Sequence, residues 1–172
     1  VWAEVELAFR FLQGRVIGIT GSNGKSTTTA MTGSVLRAAG LPGGTGGNLG
    51  TPLASLLALD GPHAVHAVEL SSFQLEGIHR LRAKVAAVLN VTPDHLDRHG
   101  GVEAYAAAKA RLFETQQPGD FAVANLRDDR AMAMAGASRA ASEPQSMSSS
   151  KRVLPMSSLG CVALLRSASA ET

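Results

Sequence analysis

Apolar positions along the first 140 residues fall into short runs with polar or glycine-rich breaks between them. RVIGIT, residues 15–20, is a β-branched run with the length of a buried strand. AVHAVEL at 64–70, KVAAVLNV at 84–91 and FAVAN at 121–125 have the same character. Between these runs the apolar spacing becomes helical. Residues 26–39 place Met31, Val35, Leu36 and Ala39 on one helical face, with Gly40 as the stop. VEAYAAAKARLF at 102–113 and the stretch 128–137 are also helix-like, and AEVELAFRFL at 3–12 reads as a short amphipathic helix or linker. Strands that alternate with helices predict an α/β domain: a mostly parallel sheet with helices on both faces.

The pattern changes after Glu143. Residues 144–172 are rich in serine, carry two prolines and nearly lack acids. One short apolar run at 161–165 has the make-up of an edge strand, and the rest reads as an atypical Ser-rich tail. The tail also explains the net charge. Its Lys151, Arg152 and Arg166 against Glu171 are the whole of the +2 excess. No basic face that could track a nucleic-acid backbone is therefore expected. No apolar run approaches the roughly 18–20 residues that a bilayer span needs. Residues 1–15 lack the basic-then-apolar layout of a signal peptide. Cys161 is the only cysteine, so no internal disulfide can form and the reducing cytoplasm is the expected compartment.

Chemistry concentrates first in GITGSNGKSTTT, residues 18–29. Gly21, Ser22, Asn23, Gly24, Lys25 and Ser26 lie between a predicted strand and a predicted helix. Glycines there let backbone N–H groups converge on an anion, and the helix N-terminus adds its dipole. Lys25 supplies a charge for the outer phosphates of a nucleotide, and the Ser26 hydroxyl can hold Mg²⁺. The match to G-x-x-x-x-G-K-[ST] is imperfect, because the first glycine position falls on Ile19. A purely structural strand–helix joint is the alternative.

A phosphate loop alone does not separate kinases, GTPases and ligases. GGNLGTPL, residues 46–53, puts Asn48 in a glycine-rich turn ahead of a predicted helix. ELSSFQLE, residues 69–76, puts Glu69 at the carboxyl end of a strand, the edge where open α/β sheets bind ligands. Glu69 is thus a candidate Mg²⁺ ligand, with a surface carboxylate as the alternative. NVTPDHLDRH, residues 90–99, ends the next strand and sets His95 between Asp94 and Asp97, which favours a ligand role. His63, His66, His79 and His99 have no such context and are expected to be structural. Lys109 lies in an alanine-rich helix, and spacing alone makes it a solvated residue without a role.

Taken in order, GITGSNGKSTTT, GGNLGTPL, ELSSFQLE, LNVTPDHLDRH and YAAAKARLF resemble the motifs of the Mur ligase family, the amide-forming ligases of peptidoglycan synthesis. The likeness covers residues 3–137, and ELSSFQLE with GGNLGTP resembles the D-glutamate-adding member most. The resemblance implies a P-loop-containing central ATP-binding domain over 15–143, preceded by a linker or remnant of an N-terminal domain at 1–14. A uridine-nucleotide domain and an amino-acid-binding domain would flank it in the complete enzyme, a monomer in the cytoplasm. It implies ATP, two Mg²⁺ ions, UDP-N-acetylmuramoyl-L-alanine and D-glutamate as cofactors and substrates, with neither nucleic acid nor membrane as partner. The reaction passes through an acyl phosphate and releases ADP. By resemblance, residues Gly21 to Thr27 hold the phosphates, with Lys25 on the β/γ-phosphates. Ser26 binds the first Mg²⁺, Glu69 is the metal-binding carboxylate, and His95 binds the second Mg²⁺. Asn48 and Ser71 line the reacting end of the substrate, and Lys109 matches a carbamylated lysine whose oxygens suit Mg²⁺. The rival readings are a sibling or folate-polyglutamate ligase, a non-catalytic nucleotide-binding module, and a plain P-loop kinase or ATPase that needs no carbamate.

Overall fold

The computed structural model describes residues 1–48, 50–141 and 162–166. Cys161 and the rest of the Ser-rich tail lie outside them.

Five short strands share one direction: β1 (Arg15–Thr20), β2 (Thr45–Gly47), β3 (Val65–Glu69), β4 (Ala83–Val88) and β5 (Phe121–Asn125). A sixth, β6 (Val162–Arg166), pairs antiparallel with β5. The order across the sheet is β2-β3-β1-β4-β5-β6. The expected edge strand at 161–165 therefore exists, displaced by one residue. Parallel neighbours need crossovers, and helices supply them. α1 (Glu4–Phe9) precedes β1, and α2 (Lys25–Ala38) follows it. α3 (Ser72–Glu76), α4 (Leu96–His99) and α5 (Val102–Ala110) come next, then α6 (Asp129–Gly136). The predicted helix after GGNLGTP is a 3-10 segment, Leu53–Leu59, and α5 ends in a 3-10 turn, Arg111–Phe113.

Side chains alternate along a strand, and β2 shows which element covers which face. Thr45 meets α2 at Gly33, whereas an added Cβ on neighbouring Gly46 would meet Leu56 of the 3-10 segment. The two elements thus cover opposite faces, as expected for a doubly covered sheet. The helical face predicted for 26–39 is not the one that packs. Met31 and Val35 are 64% and 67% exposed, and α2 buries Thr29 and Gly33 instead. Small residues let α2 lie close to the sheet, so its large aliphatic side chains point away from it.

The core runs through Val68, Leu70, Leu75, Leu81, Leu112 and Phe113. Gly18 is part of this packing. A Cβ there would lie 2.9 Å from Leu112 Cδ1, so glycine lets that leucine rest on β1. The amino-terminal segment is fastened to the same body. Fully buried Glu6 accepts backbone N–H bonds from His79, Arg80 and Leu81, and two N–H bonds from Arg10, both on Oε1. Among the described residues no helix is long and apolar enough to cross a membrane.

The register sets the carboxyl ends side by side. Ile19 pairs with Glu69 on one flank, and Thr20 pairs with Val88 on the other. β1 leads to β2 and β3 on one side and to β4 on the other, so its end is a topological switch point, where such sheets bind ligands.

Candidate functional site

The loop after β1 has the backbone that its glycines predict. Gly21 has φ 153° and Gly24 φ 82°, values an L side chain rarely adopts. Gly24 caps α2 without any side-chain hydrogen bond, so no side chain blocks the first-turn amides. Ser26 and Thr27 are exposed in that turn. The Lys25 ammonium folds back and donates to the Gly21 and Ser22 carbonyls, both at 3.0 Å.

Neighbours hold this loop in place. Ser22 N–H donates to the Asn90 carbonyl at 3.0 Å, and Asn23 N–H to Asn90 Oδ1 at 2.9 Å. Asn90 Nδ2 returns a bond to the Asn23 carbonyl at 3.1 Å. Ser22 Oγ bonds with the Thr92 carbonyl at 2.9 Å and with Thr92 N–H at 3.0 Å, and it accepts from the Tyr105 hydroxyl at 3.2 Å. The loops after β1 and β4 therefore form one rigid edge. Asp128 braces it further. Its two oxygens accept from Val91 N–H and from Ala131 N–H at the start of α6.

Lys109 is not solvated. It is 1% exposed, and its Nζ donates to the Gly21 carbonyl at 3.0 Å and sits 4.4 Å from the Tyr105 ring centroid. Burial, then the nearby Lys25 charge, lowers its pKa from 10.5 to about 8, and Asp94 opposes the shift. Two ammonium groups thus converge on a single loop carbonyl. α5 buries Tyr105, Ala106, Ala108 and Lys109 on one face, and that face carries the lysine inward.

Glu69 is not a surface carboxylate either. It is 2% exposed at the end of β3, and Asn48 Nδ2 donates to its Oε1 at 3.1 Å. Asn48 N–H also bonds the Glu69 carbonyl at 2.9 Å, which fixes the turn after β2 to the end of β3. Ser71, two residues on, forms a capping box with Gln74 at the start of α3.

His95 lies on the turn after β4 with φ 49°, the one non-glycine positive φ among the described residues. Its ring is 53% exposed, 5.2 Å from the Phe73 centroid, and its Nε2 is 3.6 Å from Asp94 Oδ2. Asp94 Oδ1 accepts the His95 N–H. Asp97 is exposed on α4, so only one of the two acidic neighbours touches the histidine. His99, expected to be merely structural, belongs to the same cluster. Its ring stacks on Phe73, and both of its nitrogens find partners on α3.

The donor set fits a magnesium nucleotide better than a metal cage built from protein alone. Among the described residues no three His, Cys, Asp or Glu side chains converge on one point. Single donors (the Ser26 hydroxyl, the Glu69 carboxylate and the His95 ring) stand on separate elements at one sheet edge. Mg²⁺ keeps several waters and takes few protein oxygens beside phosphates, so such spacing suits it.

A parallel sheet with a Gly-Lys-Ser loop at its switch point defines a P-loop-type phosphate-binding α/β domain. The comparisons narrow this class. Residues 19–153 match the Mur ligase middle domain, and the chain belongs to the Mur ligase family. It is 69% identical over 140 residues to a UDP-N-acetylmuramoylalanine–D-glutamate ligase of Anaeromyxobacter dehalogenans, covering 81% of this chain and 30% of that protein. It is 53% identical over 159 residues to the ligase of the same name from Solibacter usitatus, covering 92% of this chain and 36% of that one. A solved UDP-N-acetylmuramoyl-L-alanyl-D-glutamate–2,6-diaminopimelate ligase superposes with a TM-score of 0.57 at 29% identity, over 76% of this chain and 32% of the other. The chain thus spans about a third of the length of the curated relatives it matches.

Sequence reasoning missed Asn90, Thr92 and Tyr105, which hold the phosphate loop, and the part taken by His99. Asn90 and Thr92 follow the end of β4 within a motif already singled out. Tyr105 stands four residues before Lys109, and that helical spacing was the available signal.

Proposed function

We propose that this chain is the ATP-binding portion of an ADP-forming ligase that joins D-glutamate to UDP-N-acetylmuramoyl-L-alanine in cytoplasmic peptidoglycan-precursor synthesis. One observation carries the reading: the phosphate loop, Glu69 with Asn48, His95 and Lys109 all reach the carboxyl edge of the same parallel sheet. The names of the relatives that share 69% and 53% identity support the D-glutamate member. Residues 15–143 are the central domain in this reading, 1–14 a linker, and 144–172 an atypical tail. The complete enzyme would act as a monomer.

Residues 21–27 cradle the phosphates of ATP with backbone amides, and Lys25 swings from its loop carbonyls onto the β- and γ-phosphates. Ser26 and Glu69 would hold one Mg²⁺, and His95 with Lys109 a second. When bound, the ions neutralise charge on the transferring phosphoryl group. Glu69 is oriented by Asn48, which with Ser71 lines the end of the substrate that reacts. A carboxylate oxygen of the alanine attacks the γ-phosphorus of ATP, the bond to the ADP oxygen breaks and ADP leaves, giving an acyl phosphate. The D-glutamate amine attacks that carbonyl, phosphate leaves, and the amine loses a proton as the amide forms. Lys109 becomes an oxygen ligand when its neutral amine adds CO₂ and releases a proton to give a carbamate. The lowered pKa supports this, because CO₂ reacts with the neutral amine.

The test is ADP release by the longer protein that this reading implies. Release that needs both UDP-N-acetylmuramoyl-L-alanine and D-glutamate supports it. Release that is indifferent to D-glutamate, or that another amino acid supports equally, overturns it. The 172-residue chain alone is expected to bind Mg·ATP without ligase turnover.

A further inference from the structure

His99 is bound at both ends of its ring. Nε2 lies 3.0 Å from Ser72 Oγ, and Nδ1 lies 3.2 Å from Glu76 Oε1, so one turn of α3 engages both nitrogens. The ring is 3% exposed. It stacks on Phe73 with centroids 5.3 Å apart and planes 6° from parallel, and meets the Tyr105 ring edge-on at 5.3 Å. The order Ser–His–Glu resembles a hydrolase relay. Ser72 is 2% exposed within a helix, however, so no substrate reaches its hydroxyl. The cluster has to act through what it holds.

What it holds is the turn that carries His95. The His99 and Arg98 N–H groups both donate to the His95 carbonyl at 3.1 Å, closing the first turn of α4. His95 itself has the strained φ of 49°. A non-glycine residue there is strained and persists only where its surroundings enforce it. Phe73, clamped between the two histidines, adds a second tie from α3. α3 begins three residues after Glu69. The Ser72–His99–Glu76 bridge thus links the element that carries the carboxylate to the element that carries the histidine.

We propose that His99 is a positioning residue: its hydrogen bond to Ser72 and its contact with Glu76 on α3 fix His95 relative to Glu69, so that each reaches its own metal ion on one bound nucleotide. The inference rests on the function proposed above. His99→Phe keeps the aromatic stack and removes both polar contacts, the hydrogen bond to Ser72 and the approach to Glu76. Ser72→Ala removes one of them with little change in shape.

The experiment uses the 172-residue chain with ¹⁵N-labelled histidine and Mn·ATP as the probe. Manganese broadens the ring signals of a nearby histidine steeply with distance. In the wild type, Mn·ATP should bind and broaden His95. In His99→Phe the broadening of His95 should fall several-fold, and in Ser72→Ala by less, with the affinity for metal-free ATP within twofold of wild type in both. A merely structural role lowers thermal stability without this split. Undiminished His95 broadening in a folded His99→Phe or Ser72→Ala chain overturns the proposal. A wild-type chain that binds no Mn·ATP, or binds it without broadening His95, instead overturns the function on which it rests.

Discussion

Replacing Lys109 by methionine should stabilise the chain near neutral pH, and the gain should vanish in alkali. The wild-type amine is 1% exposed, and its pKa is lowered from 10.5 to about 8, by burial first and then by Lys25. At about 1.4 kcal/mol per tenfold change, keeping it protonated in the folded state costs about 3 kcal/mol. Below about pH 8 both folded and unfolded chains hold the proton, so the cost is fully present. Between about 8 and 10.5 the unfolded chain binds more protons, so wild-type stability rises with pH. Methionine removes the charge but also the bond to the Gly21 carbonyl, worth about 1 kcal/mol. The expected net gain is about 2 kcal/mol at pH 7, turning into a small loss near pH 10.5. Urea denaturation of both chains at pH 7, 8, 9 and 10 measures it. A difference that does not change with pH refutes the reasoning. The same shift leaves about a quarter of Lys109 neutral at about pH 7.5, against about one in a thousand for an ordinary lysine. A ¹³C-bicarbonate NMR signal for a carbamate that disappears in Lys109→Met is therefore also expected.

Two other substitutions probe the frame around the site. Glu6→Gln should cost about 3 kcal/mol by denaturant unfolding, because a charged acceptor of three backbone N–H groups is lost. Burial pushes the Glu6 carboxyl up, but those amides and Arg10 outweigh it and hold it below 4.5. The stability it confers is therefore present above 4.5 and fades as pH falls through its folded value, so the penalty should shrink in acid. Gly33→Ala should cost about 1–3 kcal/mol, because the new Cβ falls on the Thr45 hydroxyl. Adding Thr45→Ala should recover most of that loss, and a double mutant no more stable than the single one would contradict the packing.

Much of the fold was legible because its signals are local. RVIGIT and FAVAN became strands at the predicted residues, since β-branched and small apolar residues in runs of five or six suit a sheet covered on both faces. β2 was invisible, because Thr45-Gly46-Gly47 has no apolar run and is held by its pairing with β3. The exposed Met31 and Val35 misled for a related reason: α2 packs through Thr29 and Gly33, which a hydrophobicity count passes over. At the site, Glu69 and the loop were readable from their places at strand ends. Lys109 was not, because its pKa is lowered first by burial and then by Lys25, and its buried amine bonds Gly21; both of those loop residues lie more than 80 positions away in sequence.

The most direct test of the account is calorimetric titration of ATP into the chain with and without Mg²⁺, beside the same titration of Lys25→Ala. The account predicts binding that Mg²⁺ strengthens and that Lys25→Ala weakens at least tenfold. Unchanged affinity in a folded Lys25→Ala chain would mean that the loop after β1 does not hold the phosphates.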